Sequence, residues 1–276
     1  MDAPILRDLL AKSGTWLHSK GLVNGRREAE WIFADSLGLS RMDLYLRWDM
    51  PVAPPEVDRL RERIARRARR EPLAYILGTQ PFGDLVLHVG PGVLVPRPET
   101  EELIPLVLAD AATGARLLDV GTGSGAIALA CAKARPDLQV EATDVSADAL
   151  AIAQGNAERL VLPVRFHQGH LASHLPGPYQ VVVANLPYIG EDERSDCDPE
   201  LAFEPAGALF SGADGLDLIR ALLADLPRVC PAGVTWLEHG WRQGEAIAAL
   251  ARGAGIESRL VQDGAGKDRF TRLAVP

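Results

Sequence analysis

One short segment of the chain combines residue types that can act on a nitrogen-containing group. Asn185-Leu186-Pro187-Tyr188 directly follows four apolar residues at 181–184. The side-chain carbonyl of Asn185 can accept a hydrogen bond from an amide or exocyclic amine, and the backbone carbonyl of Leu186 can accept a second. Pro187 disfavours helix at Leu186 and so directs that carbonyl, while Tyr188 offers an aromatic wall. The segment suits methylation of an sp² nitrogen, although a strand that ends in an ordinary proline turn has the same residues.

A second segment is a glycine-rich loop, in which glycines permit a tight turn and a close approach of the backbone to a ligand. Its candidate cofactor-binding residues are Asp119, Gly121, Thr122, Gly123 and Gly125. Asp144 ends the next predicted strand, where a carboxylate can accept hydrogen bonds from both hydroxyls of a ribose. The loop also satisfies the dinucleotide fingerprint, so by itself it fits NAD as well as S-adenosylmethionine. A glycine turn without a ligand is a third interpretation.

Alternating strands and helices would bring the two segments together. The predicted strands are 116–120, 138–143, 164–167, 181–184 and 234–238, and the predicted helices are 101–108, 125–134 and 147–160. This order predicts an α/β fold with a mostly parallel sheet, whose carboxyl edge carries the glycine loop, Asp144 and Asn185. Because a hydride-transfer enzyme has no use for the Asn-x-Pro-Tyr segment, the combination favours S-adenosylmethionine as cofactor.

Composition limits the remaining possibilities. The 276 residues are enough for two domains, and the net charge of −8 argues against nucleic acid as the main partner. Three widely spaced cysteines provide neither a disulfide framework nor metal-ligand spacing, so no metal site is predicted. No N-terminal signal and no apolar run of about 20 residues is present, which predicts a cytoplasmic protein without a membrane partner.

Helical periodicity dominates the first part of the chain. We predict a helical domain at 1–75, a connector with a strand or hairpin at 76–95, and a catalytic domain at 96–276. Pro54-Pro55 opens a helix that carries seven arginines between positions 59 and 70. Leu60 and Ile64 mark its buried side, so the arginines are expected to form a solvated face. Contact with RNA or with an acidic partner is the alternative.

Taken in order, these motifs resemble the HemK/PrmC family, the N5-glutamine methyltransferases of peptide chain release factors. The resemblance extends through Arg70-Glu71-Pro72-Leu73-Ala74-Tyr75-Ile76-Leu77-Gly78, Val93-Leu94-Val95-Pro96-Arg97-Pro98-Glu99-Thr100-Glu101, the glycine loop, Asp144, Asn185–Tyr188 and Phe203-Glu204-Pro205. It implies a Rossmann-like class I methyltransferase domain, a small all-helical N-terminal domain that recognises the substrate, and a β-hairpin connector. It also implies methylation of the glutamine in the Gly-Gly-Gln loop of release factors.

The resemblance also implies site roles. Asn185, Pro187 and Tyr188 are the expected catalytic residues, and together with Leu186 they are expected to bind the substrate. Asn185 is also expected to bind the cofactor. The family usually has proline where this chain has Leu186, but a backbone carbonyl is supplied by either residue. Related methyltransferases often have an acidic residue where this chain has His170, which either accepts from an adenine or faces solvent.

Two other functions remain open. The Asn-x-Pro-Tyr segment would also serve an N6-adenine DNA or RNA methyltransferase that acts on a flipped base. A cofactor-binding regulatory module without turnover is the second alternative. Residues 76–276 carry 15 Lys+Arg and 26 Asp+Glu, a net charge of −11, which argues against the former. The intact Asn185 and Tyr188 argue against the latter.

Overall fold

The computed structural model describes residues 3–276, which divide into two compact units. The first unit runs to Gly78 and includes the short helical turn Pro199–Phe203. The second contains Thr79–Asp198 and Glu204–Pro276.

The first unit is helical, as its periodicity predicts. Its helices are α1 Leu6–Ser19, α2 Gly25–Leu37, α3 Arg41–Leu46, α4 Pro54–Ala68 and α5 Leu73–Leu77. The apolar sides of these helices form one core, in which Leu6, Ile32 and Phe33 are almost completely buried. Ser40 begins α3 with a capping box, because its hydroxyl accepts from the Asp43 N–H while the Asp43 carboxylate accepts from the Ser40 N–H.

The arginine-rich helix α4 differs from the expected solvated face. Arg67 is only 5% exposed and pairs with two carboxylates, Glu28 at 2.5 Å and Glu200 at 2.9 Å. Arg70 also binds Glu200, at 2.9 Å. Arg67 and Arg70 are thus bound within the first unit, because a buried guanidinium must be paired to offset its lost hydration.

The second unit begins with the predicted hairpin and continues as an α/β sheet. Strands β1 Thr79–Phe82 and β2 Leu85–His88 pair antiparallel. Within the described residues, the main sheet has seven strands in the order β5-β4-β3-β6-β7-β9-β8. Its strands are β3 Arg116–Val120, β4 Gln139–Asp144, β5 Arg165–Gln168, β6 Val181–Asn185, β7 Val234–Glu238, β8 Glu257–Gln262 and β9 Asp268–Ala274.

Helices cover both faces of this sheet, which explains why its central strands are apolar throughout. The helices are α6 Pro98–Asp110, α7 Ala126–Ala134, α8 Ala147–Leu160, α9 Asp217–Val229 and α10 Gly244–Gly253. Along β6, Val182 packs in the cluster that includes α9 and α10, whereas Val183 packs in the cluster that includes α6 and α7. The predicted α/β fold is therefore confirmed.

Two features of the second unit differ from the prediction. Helix α6 begins at Pro98 rather than at 101, because proline suits the first turn of a helix and Pro105 is tolerated further inside. The antiparallel strands β8 and β9 complete the sheet beyond β7. The sequence predicts no strand at 257–262 or 268–274, because apolar and polar residues do not alternate regularly there. No helix among residues 3–276 is long and apolar enough to cross a membrane.

Candidate active site

The glycine-rich loop leaves the carboxyl end of β3 and leads into α7. Gly121, Gly123 and Gly125 all adopt positive φ, between +55° and +85°. At Gly121 a side chain is excluded for a second reason, since a Cβ would lie 2.9 Å from Cδ2 of Leu186. The loop that approaches the cofactor position therefore packs directly against the Asn-x-Pro-Tyr segment.

Asp119 holds this loop from behind. It is fully buried, and its Oδ2 accepts hydrogen bonds from the Thr122 hydroxyl at 2.6 Å and the Ala128 N–H at 3.2 Å. Burial is the main cause that raises the pKa of Asp119 to about 7, although both hydrogen bonds lower it. Asp119 is not among the described residues that line the cleft, and its hydrogen bonds hold the loop and the start of α7.

Asp144 lies at the carboxyl end of β4, on the wall of the same cleft. Each of its oxygens accepts one backbone hydrogen bond, from Gly123 and from Ser146, both at 2.9 Å. A carboxylate oxygen can accept more than one hydrogen bond, so both remain able to bind a diol. The structure thus brings Gly121, Thr122, Gly123 and Asp144 together, while Gly125 caps α7 and does not line the described cleft.

The Asn-x-Pro-Tyr segment follows β6 on the neighbouring wall, where Asn185, Leu186 and Pro187 line the cleft. The side-chain Nδ2 of Asn185 donates to Oγ1 of Thr100 at 3.1 Å. Because the carboxamide is planar, its oxygen points away from Thr100. Leu186 is 4% exposed and anchors the turn.

Tyr188 is half-buried and is absent from the described cleft lining. Its carbonyl accepts from Gln243 Nε2 at 2.8 Å, and burial raises the pKa of its phenol to about 12. His170, by contrast, lines the cleft and is exposed.

Glu204 joins two parts of the cleft wall that are distant in sequence. Its buried carboxylate accepts from the Val95 N–H at 2.9 Å and from the Arg97 guanidinium at 2.5 Å. Arg97 and Pro205 both line the cleft. The two segments that carry these residues were recognised in the sequence, but nothing there indicated that they bind each other.

Thr100 and Glu238 are two site residues that the sequence reasoning did not select. Thr100 is buried on α6 and bonds to Asn185, while Glu238 ends β7 directly opposite Asn185 on β6. A single threonine at a helix start and a single glutamate at a strand end carry no motif. Their only signal is topological, because Thr100 lies in the first turn of α6 and Glu238 at the carboxyl end of β7, where open α/β sheets bind their ligands.

Comparison with known proteins decides the family. Residues 8–78 match the family model described as the PrmC N-terminal domain, and residues 100–209 match the methyltransferase small domain. The release factor glutamine methyltransferase of Geobacter sulfurreducens is 39% identical over 268 residues, covering 96% of this chain and 94% of that protein. The chain belongs to the release factor glutamine methyltransferase family.

Two further comparisons agree with this assignment. The family member from Bordetella pertussis is 40% identical over 273 residues, covering 97% of this chain and 98% of its own. The crystal structure of a methyltransferase from Pyrococcus furiosus superposes with a TM-score of 0.53 at 19% identity, covering 68% of this chain and 87% of the other. The latter shows the fold alone. The predicted Rossmann-like class I methyltransferase domain, with its helical N-terminal domain, is confirmed.

Proposed function

We propose that this chain transfers a methyl group from S-adenosylmethionine to the side-chain amide nitrogen of the glutamine in the Gly-Gly-Gln loop of peptide chain release factors. The observation that carries the proposal is the orientation of Asn185. Its amide nitrogen is bound to Thr100, so its Oδ1 is the atom left to accept from a substrate amide in the cleft. That arrangement serves a substrate that donates N–H bonds, as a glutamine side chain does.

The residues of the cleft fit S-adenosylmethionine. Gly123 has no heavy atom within 4 Å of the position of a Cβ, which leaves room above the loop. The Asp144 carboxylate keeps lone pairs for the two ribose hydroxyls, and Gly121 and Thr122 complete the cradle. S-adenosylmethionine supplies the methyl group as an electrophile bound to a sulfonium.

The chain itself contributes position and polarity. Asn185 Oδ1 and the Leu186 carbonyl accept the two amide hydrogens of the substrate glutamine, which would hold its nitrogen towards the methyl group that S-adenosylmethionine supplies. As the N–CH₃ bond forms, the sulfonium would become a thioether, and the nitrogen would lose one of its two hydrogens as a proton to water. Accepting those hydrogen bonds also favours electron density on the nitrogen as it becomes the nucleophile. Pro187 restrains Leu186 in an extended conformation, so leucine in place of the usual proline preserves the second acceptor.

The first unit is proposed to recognise the release factor, and the protein is proposed to act in the cytoplasm, where translation ends. An N6-adenine methyltransferase would need a cationic surface for nucleic acid. The arginine-rich helix α4 is the main support for that alternative. This support is weakened, because Arg67 and Arg70 are paired with carboxylates within the first unit.

One assay with two variants tests the proposal. The wild type, given labelled S-adenosylmethionine, should label a release factor at its Gly-Gly-Gln glutamine and leave DNA and RNA unlabelled. Asn185→Ala should retain cofactor affinity within about threefold yet lose turnover by about 10²–10³-fold, as removal of a single polar contact at a reacting centre does. Asp144→Ala should instead weaken cofactor binding, which calorimetry measures. Labelled nucleic acid, or equal loss of binding and turnover in Asn185→Ala, would overturn the assignment.

A further inference from the structure

The side-chain amide of Asn185 carries two hydrogens that it can donate. One is donated to Oγ1 of Thr100, at an Nδ2 to Oγ1 distance of 3.1 Å. A threonine hydroxyl that accepts one hydrogen bond still has its own hydrogen to donate. Thr100 is 4% exposed, so that hydrogen requires a protein acceptor nearby.

Glu238 is that acceptor. It is the last residue of β7 and lies directly opposite Asn185 in the parallel pair of β6 and β7. It is 2% exposed, and Thr100 and Asn185 lie close enough for their side chains to lower the pKa of its carboxyl group. Its Oε2 has no hydrogen-bond partner among the described residues. A buried acid thus lies next to the Asn185 carboxamide, the group that we propose to bind the substrate.

Resting on the proposed function, we propose that Glu238 and Thr100 are positioning residues that hold the Asn185 carboxamide in the one orientation that presents Oδ1 to the substrate. An ionised carboxylate only accepts hydrogen bonds, so it selects the NH₂ side of the carboxamide. The flipped amide would place Oδ1 against Glu238 and present NH₂ to the substrate. Two NH₂ groups cannot hydrogen-bond to each other through their hydrogens, so the flipped state does not bind the glutamine productively.

The protonation state of Glu238 controls this selection. Burial raises the pKa of Glu238 to about 7, while hydrogen bonds from Thr100 and Asn185 and the charge of Arg269 oppose the rise. Glu99 on α6 adds to the rise. Burial and the charge of Glu238 raise the pKa of the Tyr188 phenol to about 12, so Tyr188 is neutral in this range. A protonated Glu238 can donate to Oδ1 of Asn185 and so stabilise the flipped amide. Turnover should therefore increase with pH through about 7.

Substitutions at both positions separate positioning from simple stability. Glu238→Leu removes both acceptors and should lower kcat by about 10²-fold, the scale expected for a misdirected contact group, while cofactor affinity stays within about threefold. Glu238→Gln keeps one acceptor, so it should retain more activity and lose the pH dependence near 7. Thr100→Ser should keep near wild-type kcat, whereas Thr100→Val should lose about tenfold.

A matched control is available in the same sheet. Glu141 on β4 is 7% exposed and pairs with Arg116 and His167 outside the cleft lining. Glu141→Gln therefore removes a buried carboxylate without touching Asn185, and its kcat and pH profile should match those of the wild type. If Glu238→Leu does not fold, the Thr100 pair carries the same test. Unchanged kcat in Thr100→Val and in whichever Glu238 variants fold would overturn the proposal, as would an unchanged pH profile in Glu238→Gln.

A spectroscopic measurement distinguishes failure of this proposal from failure of the proposed function. The ¹⁵N side-chain amide signals of Asn185, assigned with Asn185→Asp, should shift with pH through about 7 in the wild type and stay constant in Glu238→Gln. This readout needs no substrate. If the Asn185 signals shift with pH but no release factor is methylated, only the proposed substrate is wrong. If a release factor is methylated but the signals do not shift with pH, the proposed role of Glu238 is wrong.

Discussion

Gly121→Ala tests whether the cofactor loop and the substrate segment are mechanically joined. The new Cβ would lie 2.9 Å from Cδ2 of Leu186. Carbon atoms prefer separations of about 3.5–4.0 Å, so Leu186 must move by roughly 0.6–1 Å. Leu186 is 4% exposed and packs in the cluster behind the sheet, so it has little room to do so. Such overpacking costs about 1–3 kcal/mol.

Gly114→Ala is the matched control for the backbone. Gly114 has φ +72°, close to the +76° of Gly121, but no heavy atom lies within 4 Å of its Cβ position. Both variants share the cost of a left-handed alanine, about 1–2 kcal/mol, and the same entropic gain from the unfolded chain. Their difference therefore isolates the contact with Leu186. Gly121→Ala should unfold at a temperature lower than Gly114→Ala by roughly 2–4 °C for each kcal/mol of that difference.

A double-variant cycle supplies the refutation. In a Leu186→Ala background the overlap is relieved, so Gly121→Ala should cost no more than Gly114→Ala. If the displacement of Leu186 Cδ2 also shifts the Leu186 backbone, turnover should fall by as much as about 10²-fold for a shift of about 1 Å, because the Leu186 carbonyl is assigned to the substrate. If Gly121→Ala costs the same in both backgrounds and turnover is unaffected, the two segments are not coupled through this contact.

Three other perturbations test separate parts of the structure. Asp119→Asn should become more stable relative to the wild type as pH rises. The raised pKa of Asp119, about 7 against 3.8, stabilises the wild type fully below pH 3.8, and this contribution is lost as pH rises through 7. Melting temperatures of the two proteins that change in parallel between about pH 4 and pH 9 would contradict this. Arg67→Met should destabilise the fold by about 1–3 kcal/mol in denaturant unfolding, because Glu28 loses its guanidinium partner and Glu200 keeps only Arg70. Arg61→Met, whose arginine is exposed, should change the midpoint little. Glu204→Gln should weaken cofactor binding by about tenfold in calorimetry, because it loosens the hydrogen bonds that join two parts of the cleft wall, and unchanged affinity would argue against that link.

The sequence determined the elements whose signals are local. The apolar run before Asn185 specified a buried strand, and the glycine spacing specified a turn between β3 and α7. Ser40 and Asp43 specified a helix start. Each signal depends on dihedral preferences or hydrogen bonds within a few residues, so it can be recognised without knowledge of the fold. The resemblance to the HemK/PrmC family rested on the same local motifs.

Only the tertiary structure determined which residues surround these motifs. Thr100 and Asn185 are 85 residues apart in sequence, and Glu238 reaches Asn185 only because β7 pairs with β6 in one register. Asp119 was a site candidate by position, yet burial places it behind the loop. The reason is physical: hydrogen-bond partners and desolvation depend on which strands become neighbours, and strand order is a non-local property. The sequence therefore indicates Asn185 as the candidate polar group, whereas its orientation depends on residues such as Thr100 and Glu238, which only folding brings next to it.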